Sequence, residues 1–364
     1  MYNDHFLNKK LAERKQENAF RQLRLPGNKI DFCSNDYLGI VKDNLLSAAV
    51  KDSLALGSTG SRLLTGNYLL IETVENEIAT FHQSQTALMF NSGFDANMGV
   101  LSSIPQRGDT IIYDSLCHAS IRDGIRLSFA QSYAFAHNDL NDLEKKLQNY
   151  QANIFVVTES VFSMDGDICP LQGIVALCKK YNAHLIIDEA HATGVIGEQG
   201  EGLVQQLQLQ NEIFCRIHTF GKACGCHGAA VLCSPRLRDY LINFARVFIY
   251  STSLPEHAVA AIQSSYKIFP SMAVERSHLQ QLINMFQQSV ISFEKLDAGT
   301  PIQGVIVPGN EQAKALAEKL QQNGFDVRPI LSPTVAKGKE RLRIVLHVFN
   351  TKEELQLLID TLNK

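Results

Sequence analysis

The 364-residue chain has no apolar run approaching the roughly 20 residues that cross a bilayer. Its opening stretch, MYNDHFLNKKLAERKQENAFRQLR, has no apolar core of signal-peptide length. Together these absences make the cytoplasm the expected location. There is no strong charge of either sign. A formal net charge of −3 gives no reason to expect nucleic acid or a polybasic attachment to a membrane. A disulfide framework is missing too: eight cysteines (33, 117, 169, 178, 215, 224, 226 and 233) are scattered, and most read as small buried apolar residues. Cys224, Cys226 and His227 stand close together, but a zinc site needs about four ligands, usually in two separated pairs. No CxxC partner pair exists, so no metal is expected. Internal repeats and low-complexity stretches are absent. So is the GxxxxGK[ST] phosphate loop that a helicase reading of DEAH at 188–191 would require.

What is present reads as an ordinary globular chain, 45% hydrophobic and 20% charged, long enough for two or three domains. From about residue 85 onward, short apolar runs alternate with helical patterns. TALMF, DTIIYD, NIFVVTES, AHLIIDEA, FCRIHTF and GAAVLCS are each bounded by small or polar residues. Such continuous runs suit strands covered by helices on both faces. Asn138 or Asp139 can cap one intervening helix, and Ser234 followed by Pro235 another. The expectation is an α/β fold with a mostly parallel sheet. After YSTSLP the pattern changes: one long helical stretch from about Glu256 to Leu296, then PIQGVIVPG, a helix near Glu311–Asn323, FDVRPI, RLRIVLHV and a last helix. Thr351 and Glu354 make a capping box for that helix. The expected domains are a helix and arm over 1–33, a large α/β domain over 34–254 and a smaller α+β domain over 255–364.

Four segments can carry chemistry. Lys222, in FGKACG, follows an apolar run and sits among small residues, where burial would favour its neutral, nucleophilic amine. Asp188 closes LIID, which puts a carboxylate at the carboxyl edge of the sheet, where open α/β folds bind ligands. An acid there can keep a pyridine nitrogen protonated. Ser92, Gly93 and Phe94 begin a helix after TALMF, and a glycine-bearing helix N-terminus suits a phosphate monoester. His118 follows DTIIYD, where an imidazole can stack on an aromatic ring or move protons.

The ordered segments NDYLG, GSTGSRLLTG, SGFDAN, CHAS, TESVFSMDGD, DEAHATGVIG, HTFGKACG and FARVFIYSTSLP resemble the α-oxoamine synthases. The likeness runs from about Leu11 to the C-terminus. It implies the aspartate-aminotransferase-like, type I fold of pyridoxal 5'-phosphate (PLP) transferases: a mostly parallel central sheet sandwiched by helices, with a smaller C-terminal domain. The implied reaction is a decarboxylative condensation of an amino acid with an acyl thioester. FAHND, VFSMDGD, TGVIGEQG and TPIQGVIVPG look most like the members that join L-alanine to a pimeloyl thioester, carried by coenzyme A or an acyl carrier protein. Members using glycine or serine with another acyl-CoA are the alternative. By resemblance, Lys222 carries the cofactor, Asp188 faces its ring nitrogen, His191 lies near its phenolic oxygen and His118 stacks over the ring. Ser163 also reaches the cofactor. Gly93, Phe94 and Thr219 correspond to phosphate contacts, and Thr252 to one given by a second subunit, implying a homodimer with shared sites. Asn35 and Arg343 correspond to amino-acid-binding residues, and Arg21 to an arginine near the site. Cys224 stands where relatives often have an aromatic or leucine, and Leu331 where they commonly have an arginine.

Overall fold

The computed structural model describes residues 3–23, 25, 27–49, 54–150 and 152–364. The strands, in chain order, are β1 Ile30–Asp31, β2 Thr86–Phe90, β3 Thr110–Asp114, β4 Gln131–Phe135, β5 Ile154–Glu159, β6 His184–Asp188, β7 Cys215–Thr219, β8 Ala229–Cys233, β9 Ile302–Ile306, β10 Phe325–Asp326, β11 Arg328–Ile330 and β12 Arg341–Val345. The chain divides into two compact units. One comprises Leu38–Ser163 and Ile168–Arg276; the other comprises Met1–Tyr37, Met164–Asp167 and Ser277–Lys364.

The larger unit is built on a seven-stranded sheet of order β2-β8-β7-β6-β5-β3-β4. Strands β7, β6, β5, β3 and β4 pair in parallel, while β8 is antiparallel to both β7 and β2. Every residue of β5, β7 and β8 is buried. Side chains of a strand alternate between faces, so each strand feeds two cores. On one face Phe155, Val157, Ile186, Cys215 and Ile217 pack with residues such as Val100, Ile121 and Leu241. On the other, Val156, Leu185 and Ile187 pack with residues such as Leu143, Ile174 and Val204. Helices therefore cover both faces, which is why these strands read as unbroken apolar runs.

QSYAF at 131–135 is a strand that the apolar runs do not announce. It forms β4 at the sheet's edge, and four of its five residues are exposed, so no continuous run marks it. The single long helix expected over Glu256–Leu296 is a correction. The structure has a helix Glu256–Ile268, a 3-10 turn Phe269–Ser271 and a helix Ala273–Gln288. Pro270 sits in the turn, where its missing N–H and fixed φ interrupt helical bonding.

In the smaller unit β11, β12 and β9 form an antiparallel sheet, and β1 pairs in parallel with β10. Its last helix, Lys352–Asn363, starts with the expected capping box of Thr351 and Glu354.

Candidate active site

The strand pairing of the larger unit sets its polar edge. Strands β5, β6 and β7 are adjacent and parallel, so their carboxyl ends lie together. Phe155 and Val157, Ile186, and Cys215 and Ile217 all belong to one core. Counting two residues along each strand puts Glu159, Asp188 and Thr219 on that same face. Three apolar strand faces thus end in two acids and a hydroxyl.

Asp188 is buried and both its oxygens have hydrogen-bond donors. Its Oδ2 accepts from Asn97 Nδ2 at 2.7 Å and its Oδ1 from the Ala190 N–H at 2.8 Å. Asn97 lies in the helix Gly93–Ser103 and also donates to Ser120 Oγ at 3.1 Å. That helix is capped by Ser92, whose Oγ accepts from the Asp95 N–H at 3.1 Å. Gly93 is needed for a close approach: a Cβ there would come 2.2 Å from Thr219 Cγ2. The Oγ1 of Thr219 is buried beside this helix N-terminus with no protein partner.

His118 caps the helix Ala119–Leu127. Its Nδ1 accepts from the Ser120 N–H at 3.2 Å and lies 2.8 Å from Ser120 Oγ. An Nδ1 that accepts a backbone N–H carries no proton, so the neutral ring is protonated at Nε2. Burial lowers the imidazole pKa from its ordinary value; Asp188 opposes that shift, and Lys222 adds to it. The Phe94 ring meets His118 edge-on, with centroids 6.4 Å apart.

Lys222 is half-buried in the loop after β7, electrostatically linked to both His118 and Glu159. Its carbonyl accepts from the Gly225 N–H at 2.8 Å, closing a tight turn. Gly225 holds φ +63°, a left-handed conformation that favours glycine. His191 is buried in the turn just past β6, and Ser163 is half-buried in the turn that follows Val161. Thr252 is exposed in the 250–255 loop, where its carbonyl accepts from Asn91 Nδ2 at 2.9 Å, one residue before the Ser92 cap.

Asn35, Arg343 and Arg21 belong to the smaller unit. Arg343, in β12, donates to Asn35 Oδ1 at 2.9 Å, and the Tyr37 hydroxyl donates to the same oxygen at 3.1 Å. The Tyr37 hydroxyl is pushed up to about 12 by burial, against the pull of Arg343. Arg21 is exposed and donates to Thr334 Oγ1 at 3.1 Å. Cys226 donates to the Cys224 carbonyl at 3.2 Å, and burial pushes both thiols up, Cys226 to about 12. They stay protonated and pack beside the lysine turn.

Two residues of this edge were missed from sequence. Glu159 closes β5 and is buried; its Oε1 accepts from the His118 N–H at 2.5 Å. It carried the same signal as Asp188, an acid ending an apolar run. Asn97 sits four residues after Gly93, one helical turn on, so the helix that presents its N-terminus can also reach Asp188.

The family model for aminotransferase class I and II matches residues 27–362. The 8-amino-7-oxononanoate synthase of Emericella nidulans is 40% identical over 98% of this chain and 94% of its own length. A serine palmitoyltransferase from S. paucimobilis, solved with PLP and myriocin bound, superposes at a TM-score of 0.90 with 26% identity, covering 100% of this chain and 98% of its own. The 8-amino-7-oxononanoate synthase from Francisella tularensis superposes at 0.80 with 30% identity, covering 92% of this chain and 97% of its own.

Proposed function

The chain belongs to the aminotransferase class I and II family, and from that premise we propose that it is a PLP-dependent acyltransferase of biotin biosynthesis. It condenses L-alanine with a pimeloyl thioester to give 8-amino-7-oxononanoate, carbon dioxide and the free thiol carrier. The observation that carries this reading is the convergence of Asp188, His118 and Lys222 at one sheet edge, in a chain 40% identical over 98% of its length to a relative named for that activity.

The residues present fit PLP. Thr219 offers a buried, unpartnered hydroxyl beside the N-terminus that Gly93 opens, a donor set suited to a phosphate with Phe94 in the same first turn. When bound, PLP supplies an electron sink for carbanion chemistry at the amino acid's α carbon. Asp188, whose two oxygens each accept one hydrogen bond, would face the ring nitrogen and keep it protonated. The amine of Lys222 anchors the cofactor and carries the α proton. His118 would stack against the cofactor, and it presents Nε2–H as a donor because Ser120 occupies Nδ1. His191, in the turn after β6, and Ser163, in the turn after Val161, would help hold the cofactor. Arg343, braced by Asn35, binds the amino-acid carboxylate. The resemblance to the α-oxoamine synthases assigns Arg21 to substrate binding as well. Thr252, exposed on its loop, completes the phosphate site of a second copy, so the working form is a homodimer with shared sites.

Among the described residues no helix is long and apolar enough to cross a membrane. The proposed location is the cytoplasm.

A second reading is favoured by the serine palmitoyltransferase likeness at a TM-score of 0.90: glycine or serine joined to another acyl-CoA. The test pairs alanine, glycine and serine with pimeloyl and shorter thioesters and follows release of carbon dioxide and thiol. Turnover fastest with alanine and the pimeloyl chain is expected. Faster turnover with serine or glycine would transfer the assignment to the second reading.

A further inference from the structure

We propose that Glu159 is a positioning residue that stands as a neutral acid beside Asp188 and holds the His118 loop in place without touching the substrate. The proposal deepens the PLP-site reading and rests on it for its catalytic meaning.

Parallel pairing puts Glu159 opposite Asp188 in register across β5 and β6. Neighbouring strands lie about 4.8 Å apart, and both side chains leave the same face. Two carboxyl groups so placed, both buried, do not ionise together at neutral pH. Which one keeps the proton follows from their donors. Asp188 receives two hydrogen bonds, from Asn97 and the Ala190 N–H, and is the better stabilised anion. For Glu159 the hydrogen bond seen is one, from the His118 N–H.

The groups in electrostatic reach of Glu159 are Asp188 on β6, Lys222 after β7, Asp114 at the end of β3, and Cys117 and His118 on the loop from β3. Burial first, then Asp188, pushes its carboxyl up to about 8; the His118 N–H and Lys222 pull the other way, and Asp114 adds to the rise. Asp188, the acid with two donors, is then the one on this face suited to meet a ring nitrogen.

The grip on His118 is mechanical as well. Glu159 holds the backbone N–H of His118, while Ser120 holds the ring at Nδ1. Two anchors at the helix cap fix where Nε2 points. Above about pH 8 Glu159 ionises, and a second anion then favours the charged forms of both His118 and Lys222.

The test uses the full chain loaded with PLP and two variants. Glu159→Gln keeps the carbonyl acceptor and removes the titrating proton; Glu159→Ala removes both. The infrared difference spectrum, wild type minus Glu159→Gln, should show a protonated carboxyl band at pH 7 that fades near pH 8; the buried Glu189 carboxyl, common to both, cancels. Hydrogen exchange at the His118 amide should accelerate about tenfold in Glu159→Ala and stay within about threefold in Glu159→Gln, as expected for loss of one hydrogen bond. A difference spectrum without that band overturns the proposal. So does wild-type exchange in Glu159→Ala, or equal loosening of residues 119–127 in both variants. These readouts need no substrate: a chain that fails to condense alanine can still pass them, and a chain that condenses alanine can still fail them.

Discussion

Asp188 and Glu189 are consecutive acids, both buried, at the end of one strand, yet they leave it on opposite faces and meet opposite surroundings. Asp188 meets Asn97 and lies in electrostatic reach of His118, on the face whose helix N-terminus is open to a ligand. Glu189 meets a closed cluster: its Oε1 accepts from the Val204 N–H at 3.0 Å, and His218 Nε2 lies 3.6 Å from its Oε2. The His218 ring lies 4.0 Å from that of His82, tilted by 36°, and the His82 carbonyl accepts from buried Arg216 at 2.7 Å. Thr193 donates to the Glu189 carbonyl and lies 2.9 Å from His218 Nδ1, tying down the turn that contains His191. Burial of acids is therefore common to both faces. What separates them is an open helix N-terminus, a half-buried lysine and an unpartnered hydroxyl on one side only of this strand end.

The comparison breaks most visibly under substitution of the two acids. Asp188→Asn should lower turnover by about 10²–10³-fold, the scale of a lost preorganised charge, while the urea midpoint moves little. Glu189→Ala should do the reverse, costing about 3 kcal/mol of stability because His218 and Arg216 lose a buried partner. Its activity per folded molecule should remain within a few-fold of wild type. Urea melts and steady-state rates on both variants check the pair, and matching profiles would erase the distinction.

The histidine pair sharpens it through pH. Burial holds His82 and His218 well below their ordinary range. The unfolded chain takes up protons near pH 6.5 that the folded chain refuses, so this contribution is present above that value and lost as pH falls through it. Glu189, pushed up to about 7 by burial, acts oppositely: its contribution is greatest below about 4.5 and declines as pH rises toward 7. Urea midpoints between pH 5 and 7 should show a steeper acid-side loss in wild type than in His218→Asn.

The smallest effect expected is Thr219→Val. The hydroxyl has no protein partner to lose, so stability should change by no more than about 0.5 kcal/mol. PLP affinity should fall about fivefold to tenfold, the worth of one hydrogen bond, as read by a fluorescence or absorbance titration.

Much of this was legible in the chain because the central strands are buried on both sides and end in chemistry-bearing residues. TALMF, NIFVVTES and FCRIHTF mark strands by continuous apolarity, and Lys222 and Asp188 stand directly after such runs. β4 escaped because an exposed edge strand has no such run. The turn at Phe269–Ser271 was overlooked because apolar periodicity continues through Pro270 on both sides. Glu159 ends an apolar run as Asp188 does, but only the strand register shows that the two acids stand side by side on one face. The bond from Asn97 to Asp188 joins residues 91 positions apart, and pairing at that range follows from packing.

The most direct test of the open face treats the PLP-loaded full chain with borohydride, digests it and maps the phosphopyridoxyl group by mass. The group is expected on the peptide containing Lys222, and absent when that residue is alanine. Label on another lysine, or none on any peptide while PLP remains bound, would contradict the assignment of this sheet edge as the cofactor site.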